Sequence, residues 1–209
     1  PFPRCPTMTS MAATSIDTGP LRRALAMLRE ALDFRHQQAD STPLKPHLRS
    51  AVIQSFEFSY ELSVRLMRRV LIERAARTAC EAGLGIKIHS DEFTPLGGTE
   101  LAAEIGAVSA EHLIAITPDG IKALAASPTI ALLLPGVPFF LMLDKRPPAR
   151  ALIDAGAAIA LSSDFNPGSS MVASMLFVLQ LGIFTLGLSV EEAINACTAN
   201  AACAVGRQA

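Results

Sequence analysis

A chain of 209 residues, half of them apolar and 18% charged, with a mean hydropathy of +0.36, has enough material for one large domain or two small ones and is too apolar for wholesale disorder. Eighteen Lys and Arg against nineteen Asp and Glu leave a net charge of −1, which argues against a nucleic-acid-coating surface. The balance hides an asymmetry. Residues 1–83 carry 12 basic and 8 acidic side chains, residues 84–209 carry 6 and 11, and eleven of the 13 glycines fall in the second part. A composition boundary is therefore expected between about 70 and 84.

The opening residues, 1–16, are rich in proline and small polar residues where a secretory leader would be apolar, and they are expected to form a disordered tail. Leu21, Leu25, Leu28 and Leu32 then recur at helical spacing, with Asp17 or Thr18 as cap and Pro20 suited to the first turn, which predicts a helix over about 19–36. After a polar stretch holding His36 and His47, both expected to face solvent, Val52, Phe56, Tyr60, Val64, Met67 and Leu71 predict a long helix over about 46–76. Such a helical hairpin, residues 17–78, presents faces that need further cover, and no third matching helix follows. Arg65, Arg68, Arg69, Arg74 and Arg77 read as a solvated helix face rather than a phosphate site.

From residue 83 the pattern alternates. Strands are predicted at 85–89, 107–113, 129–135 and 157–164, followed by helices near 97–105, 118–126, 147–155 and 170–187, with two short helices at 189–197 and 199–205. Four βα units with apolar strands predict an α/β fold with a parallel sheet covered by helices. The uncharged run 171–188 reaches the length of a membrane span, but Gln180, two glycines and the lack of flanking basic anchors favour a buried core helix. Cys5, Cys80, Cys197 and Cys203 show no CxxC spacing and are expected to be reduced thiols in a cytoplasmic protein.

Three strand ends carry polar groups out of keeping with the runs before them: His89 with Asp91 and Glu92, then His112, then Asp164 with Asn166, Pro167 and Gly168. Functional side chains of βα units gather at such ends, and a His nitrogen and an Asp oxygen are sound ligands for Zn²⁺ or Fe²⁺. The same residues admit a plainer reading, with His89 and His112 as satisfied core histidines and Asp164 as a helix cap.

The strings IKIHSDEFTPLGGTELAAEIGAVSAEHL (86–113) and KRPPARALIDAGAAIALSSDFNPGSS (145–170) resemble the C-terminal half of imidazolonepropionases, metal-dependent amidohydrolases of histidine breakdown, over about 79–206. The resemblance implies a partial (β/α)₈ amidohydrolase barrel over 79–209. It also implies His89 and Asp164 as ligands of zinc or iron, and Glu92, His112 and Asp164 as catalytic residues. Asn166, Gly168 and Ser169, with Glu92, would bind the substrate. The implied reaction is hydrolysis of the cyclic amide of 4-imidazolone-5-propanoate to N-formimidoyl-glutamate. The family's HxH metal pair has no counterpart among the four histidines, and the first barrel strands are missing, so the metal site is incomplete and the chain is expected to be inactive alone. A homodimer or a complementing fragment would be needed to complete the barrel; neither nucleic acid nor membrane is expected as a partner.

The segments DTGPLRRALAMLREALDF (17–34) and LRSAVIQSFEFSYELSVRLMRRVL (48–71) resemble the first two helices of nucleotidyltransferase substrate-binding proteins. That resemblance implies a helical binding module partnering a minimal nucleotidyltransferase, with Glu57, Tyr60 and Glu61 on or near the partner or substrate face. The barrel half would then be a passenger. Two unrelated resemblances meeting near residues 70–84 suggest a fusion of two partial genes.

Overall fold

The computed structural model describes residues 17–39 and 42–207, so the expected tail lies outside the described residues. They form two compact units, residues 17–75 and residues 76–207, with the division falling inside a helix.

The first unit holds α1 (Gly19–Gln37) and most of α2 (Lys45–Glu81). Thr18 is the N-cap of α1 without a side-chain bond, while the Asp17 carboxylate accepts the Gly19 amide at 2.8 Å and Pro20 sits in the first turn, where its missing N–H costs nothing. The longer helix meets expectation at Val52 and Val64, both half-buried, and differs from it over the rest of the covered stripe. Leu48, Val52, Ser55, Leu62 and Leu66 are half-buried and Ser59 is buried, whereas Phe56, Tyr60, Met67 and Leu71 are all more than half exposed. Ser59 satisfies its hydroxyl by donating to the Ser55 carbonyl at 2.7 Å, which lets a polar residue occupy the covered stripe. Phe56 and Tyr60 stack on the exposed one, their ring centroids 6.2 Å apart. His36 and His47 are exposed, as expected.

In the second unit β1 (Lys87–Ser90), β2 (Ser109–His112), β3 (Ile130–Leu133) and β4 (Ile159–Leu161) form one parallel sheet in the order β1-β2-β3-β4. The connections run through α3 (Gly98–Glu104), α4 (Pro118–Ala125), and α5 (Gly136–Phe140) with α6 (Ala149–Asp154). The chain closes with α7 (Met175–Leu186), α8 (Val190–Cys197) and α9 (Ala199–Ala204). The short helix α5 lies where a loop was expected. It is placed by Val137, fully buried beside Ile130, Leu132 and Leu134.

Alternation along the strands divides two cores. Ala131 and Leu133 of β3, with Ile159 and Leu161 of β4, pack with Leu101, Leu152 and Val178, while Ile130, Leu132 and Ala160 face the other way with Val137 and Ala204. The central strand β3 is buried at every position, as a parallel strand covered on both faces must be. α9 is tied to the sheet by Asn200, whose side-chain amide donates to the Ile159 carbonyl at 2.7 Å, and by Lys87, whose ammonium donates to the Ala204 carbonyl at the helix C-terminus at 3.0 Å.

The apolar run 171–188 folds as the twelve-residue α7, and no helix among the described residues is long and apolar enough to cross a membrane. Cys80 is disulfide-bonded, which corrects the expectation of reduced thiols; the absence of CxxC spacing says nothing about cysteines distant in sequence, which pair when the fold brings their Cα atoms within reach. Cys197 and Cys203 are free, and burial pushes the Cys197 thiol pKa up.

Candidate functional site

Both β1 (KIHS) and β2 (SAEH) alternate polar and apolar residues, unlike β3 (IALL). The parallel register sets Lys87 opposite Ser109, His89 opposite Glu111 and Ser90 opposite His112. One face of this strand pair is therefore a polar ladder. Lys87 Nζ lies 2.6 Å from Ser109 Oγ and 3.1 Å from Glu111 Oε1, and His89 Nε2 lies 3.3 Å from Glu111 Oε2. Glu111 is buried, so its charge relies on this compensation.

Regular alternation would send His112 to the face opposite Glu111. Its backbone instead takes φ 72°, followed by φ 59° at Leu113, and the break in alternation brings its ring to His89, with Nε2 2.7 Å from His89 Nδ1 and ring centroids 4.9 Å apart. Left-handed backbone at non-glycine residues costs about 1 kcal/mol or more each and persists only where the surroundings hold it. Here the Leu113 amide donates to the Ser90 carbonyl at 3.2 Å and the Ala115 amide to the Asp91 carbonyl at 2.7 Å, bolting the two strand ends together.

Asp91 is itself buried at φ 46° and organises the first loop: its carboxylate accepts the Leu96 amide at 2.9 Å, the Thr99 amide at 3.3 Å and the Thr99 hydroxyl. The glycine pair in that loop is required twice over. Gly97 takes φ 76°, and a Cβ on Gly98 would stand 3.0 Å from the Ser90 Cβ. The loop so formed sets Glu92 Oε1 3.6 Å from His112 Nδ1.

Asp164 lies early in the loop after β4, at φ 47°, and is close enough to His112 for its charge to act on that ring. It does not cap the next helix: Ser174 does, accepting the Phe177 amide at 3.4 Å. Asn166 holds the loop in an Asx turn, its Oδ1 accepting the Gly168 and Ser169 amides at 2.8 Å each and its Nδ2 donating to the Asp164 carbonyl at 2.8 Å and to Ser169 Oγ at 2.9 Å. The expected substrate-holding groups of Asn166, Gly168 and Ser169 thus bond one another.

Burial of the imidazole lowers the His112 pKa; the His89 ring adds to that, and the carboxylates of Glu92, Asp164 and Glu111 oppose it. His112 is only 3% exposed, and its Nδ1 has no hydrogen-bond partner. The His89 side chain is 66% exposed, so it is not a core histidine. Both of its ring nitrogens lie against protein groups, and among the described residues no group of three or more His, Cys, Asp and Glu is placed to hold a metal ion. The donors among the described residues therefore do not make a closed metal site, and the arrangement of His89, His112, Glu92 and Glu111 offers acid–base and hydrogen-bonding chemistry.

Glu111, Lys87 and Ser109 escaped the reading of strand ends because they lie inside the strands; the period-2 polar alternation of KIHS and SAEH was the signal that could have found them. A groove of about 670 Å³ along α1, lined by Arg22, Leu25, Arg29 and Phe34 among others, contains none of these residues.

Residues 17–83 match the family described as nucleotidyltransferase substrate binding protein like. Curated relatives named imidazolonepropionase include those of Porphyromonas gingivalis and Streptococcus pyogenes, each 53% identical over 134 and 130 residues respectively, and that of Bacillus velezensis, 49% identical over 131 residues. These matches take in 64%, 62% and 63% of this chain and 31% of each relative, so the chain spans about a third of their length.

Proposed function

We propose that residues 79–206 carry part of an imidazolonepropionase-type site for hydrolysis of a cyclic amide, on a partial (β/α)₈ amidohydrolase barrel. The observation that supports this most is the convergence of His89, His112 and Glu92 from two adjacent strand ends, within a region that resembles enzymes of that name at about half identity. The substrate would be 4-imidazolone-5-propanoate. Water adds across the ring C–N bond, its hydroxyl going to the carbonyl carbon and its proton to the departing nitrogen, giving N-formimidoyl-glutamate.

In this reading neutral His112 hydrogen-bonds the cyclic amide, Asp164 takes a proton from the attacking water, and Glu92 passes one to the leaving nitrogen. The Asp164–Ser169 loop faces the propionate, with one of its internal bonds yielding to the carboxylate. His89 and Asp164 are the residues that the resemblance offers to zinc or iron, and two donors fall short of the three or four protein ligands of a working site. The chain alone is accordingly proposed to bind a cyclic amide without turning it over, and a second copy or a complementing fragment would have to supply the rest.

Equilibrium binding of imidazolidin-4-one to the full chain tests this. His112→Ala and Glu92→Gln should each weaken binding about tenfold, the value of one hydrogen bond of roughly 1–1.5 kcal/mol. Equal affinity in all three proteins would overturn the reading.

A second reading is favoured by one observation in the helical unit. Phe56, Phe58, Tyr60, Met67 and Leu71 stand exposed within the segment that matches the substrate-binding family. There the unit would be a binding module for a minimal nucleotidyltransferase, with Glu57, Tyr60 and Glu61 on or near the contact face; Tyr60→Ala would abolish that association and leave cyclic-amide binding unchanged.

A further inference from the structure

The four-stranded sheet ends in two outer edges, β1 and β4, and both present backbone groups for pairing. In β1 the Ile86 and Ser90 carbonyls accept the Val108 and Leu113 amides at 2.7 and 3.2 Å, so alternation points the N–H and C=O of Lys87 and His89 outward. In β4 the Ala158 carbonyl accepts the Ala131 amide and the Ser162 amide donates to the Leu133 carbonyl, which turns Ile159 and Leu161 outward; there the Ile159 carbonyl takes the Asn200 side chain at 2.7 Å. The helix layer is uneven at these same edges. α8 packs on β4, its Ala193 and Ala196 buried in the shared core, and its Glu192 carboxylate accepts both terminal nitrogens of Arg150 of α6, which lies beside α4, at 2.9 Å each. Helical spacing puts Val190 and Ile194 on the flank opposite Glu192, towards the free edge of β4, and they are 53% and 49% exposed. At the other edge Ile86 and Ile88, packed against the same core, are only half-buried. Among the described residues one edge thus carries an apolar overhang without a strand beneath it, and the other a strand with incomplete cover, where a parallel strand needs both faces covered.

We propose that two copies of this chain close one barrel, the β4 edge of each pairing in parallel with the β1 edge of the other, and Val190 and Ile194 of one covering Ile86 and Ile88 of its partner. A two-fold axis along the barrel keeps every strand parallel in the order β1-β2-β3-β4-β1-β2-β3-β4 and makes the two edge contacts identical. Eight strands enclose an interior that side chains fill, and closure abolishes both edges. The site is then shared. Asp164 follows β4, so it comes beside the strand that carries the partner's His89, whose side chain is 66% exposed in a single copy. Dimerisation of this kind rests on the partial-barrel reading above, with a second copy and not a separate fragment as the other half.

Sedimentation equilibrium of the full chain, combined with amide hydrogen exchange, tests this. The wild-type chain should sediment at twice the 22.1 kDa of one copy, with the outward amides of Lys87, His89, Ile159 and Leu161 protected. Ile194→Lys, at a half-exposed position that a single copy tolerates, should sediment as a monomer and lose that protection while the amides of β2 and β3 keep theirs. A wild-type monomer overturns the proposal. So does a dimer whose edge amides exchange freely, as association through the exposed face of α2 would give, and so does an Ile194→Lys dimer with intact protection. Titration of the same samples with imidazolidin-4-one separates the two readings: a monomer that binds it removes barrel closure and leaves the hydrolase reading standing, whereas a closed dimer that does not bind supports closure and counts against the hydrolase.

Discussion

The two units of this chain use the same apolar spacing to different ends. In residues 76–207 the sheet and the helices against it cover Leu113, Leu124, Leu133 and Leu152 fully, although Leu176 and Phe184 of α7 stand exposed. In residues 17–75 much of the periodic set lacks such cover, with Phe56 57% and Leu71 66% exposed. Periodicity specifies that a face exists; its cover depends on what else the chain supplies, and a parallel sheet with helices on both sides supplies it where two helices do not.

The largest test of this contrast is a pair of truncations. Leu133→Ala removes a fully buried side chain from the central strand and should cost about 2–5 kcal/mol in chemical denaturation, whereas Leu71→Ala should stay within about 0.5 kcal/mol. Comparable losses would mean that the helical face is covered in solution. Next in size is Gly98→Ala, which presses a methyl to 3.0 Å from the Ser90 Cβ and should cost about 1–3 kcal/mol, read as a lowered unfolding midpoint. An unchanged midpoint would show that the first loop can move away from β1.

The polar ladder sharpens the comparison through pH. The folded pKa of His112 lies below its ordinary value of 6.5, so the unfolded chain binds the proton more readily. Its contribution to stability is fully present above 6.5 and is lost as pH falls below it towards the lowered folded value. Urea midpoints should therefore decline with acidification in that window, and less steeply in His112→Gln; identical pH profiles would remove the buried neutral imidazole from the account. Smallest is the response to metal. With two expected donors and no set of three among the described residues, Zn²⁺ should remain at or below its dissociation constant at micromolar concentrations and add no more than about 0.4 kcal/mol to stability. A large upward shift of the thermal midpoint would show that the ligands gather more closely than the structure places them.

Much of this was legible from the residues. The four βα units follow from short apolar runs bounded by glycine and proline, and His89, Glu92 and His112 stood out as polar groups ending such runs. Beyond Val52 and Val64 the covered stripe of α2 was not legible, because Ser55 and Ser59 lie on it and hydropathy alone prefers Phe56 and Tyr60. Nor was the meeting of His89 with His112: strand alternation alone places them on opposite faces, and only the left-handed backbone at His112 reverses that. Glu111 went unnoticed for a related reason, since a buried glutamate inside a parallel strand makes sense only once register sets it opposite His89 and beside Lys87.

The central claim is that a cyclic-amide site exists where β1 and β2 end. Chemical-shift mapping of the full chain with imidazolidin-4-one tests it most directly. The account predicts perturbations confined to residues around His89, Glu92 and His112, extending to the Asp164 loop and absent in His112→Ala. Perturbations centred on α1 and α2, or none at all at ligand concentrations that saturate ordinary weak sites, would contradict it.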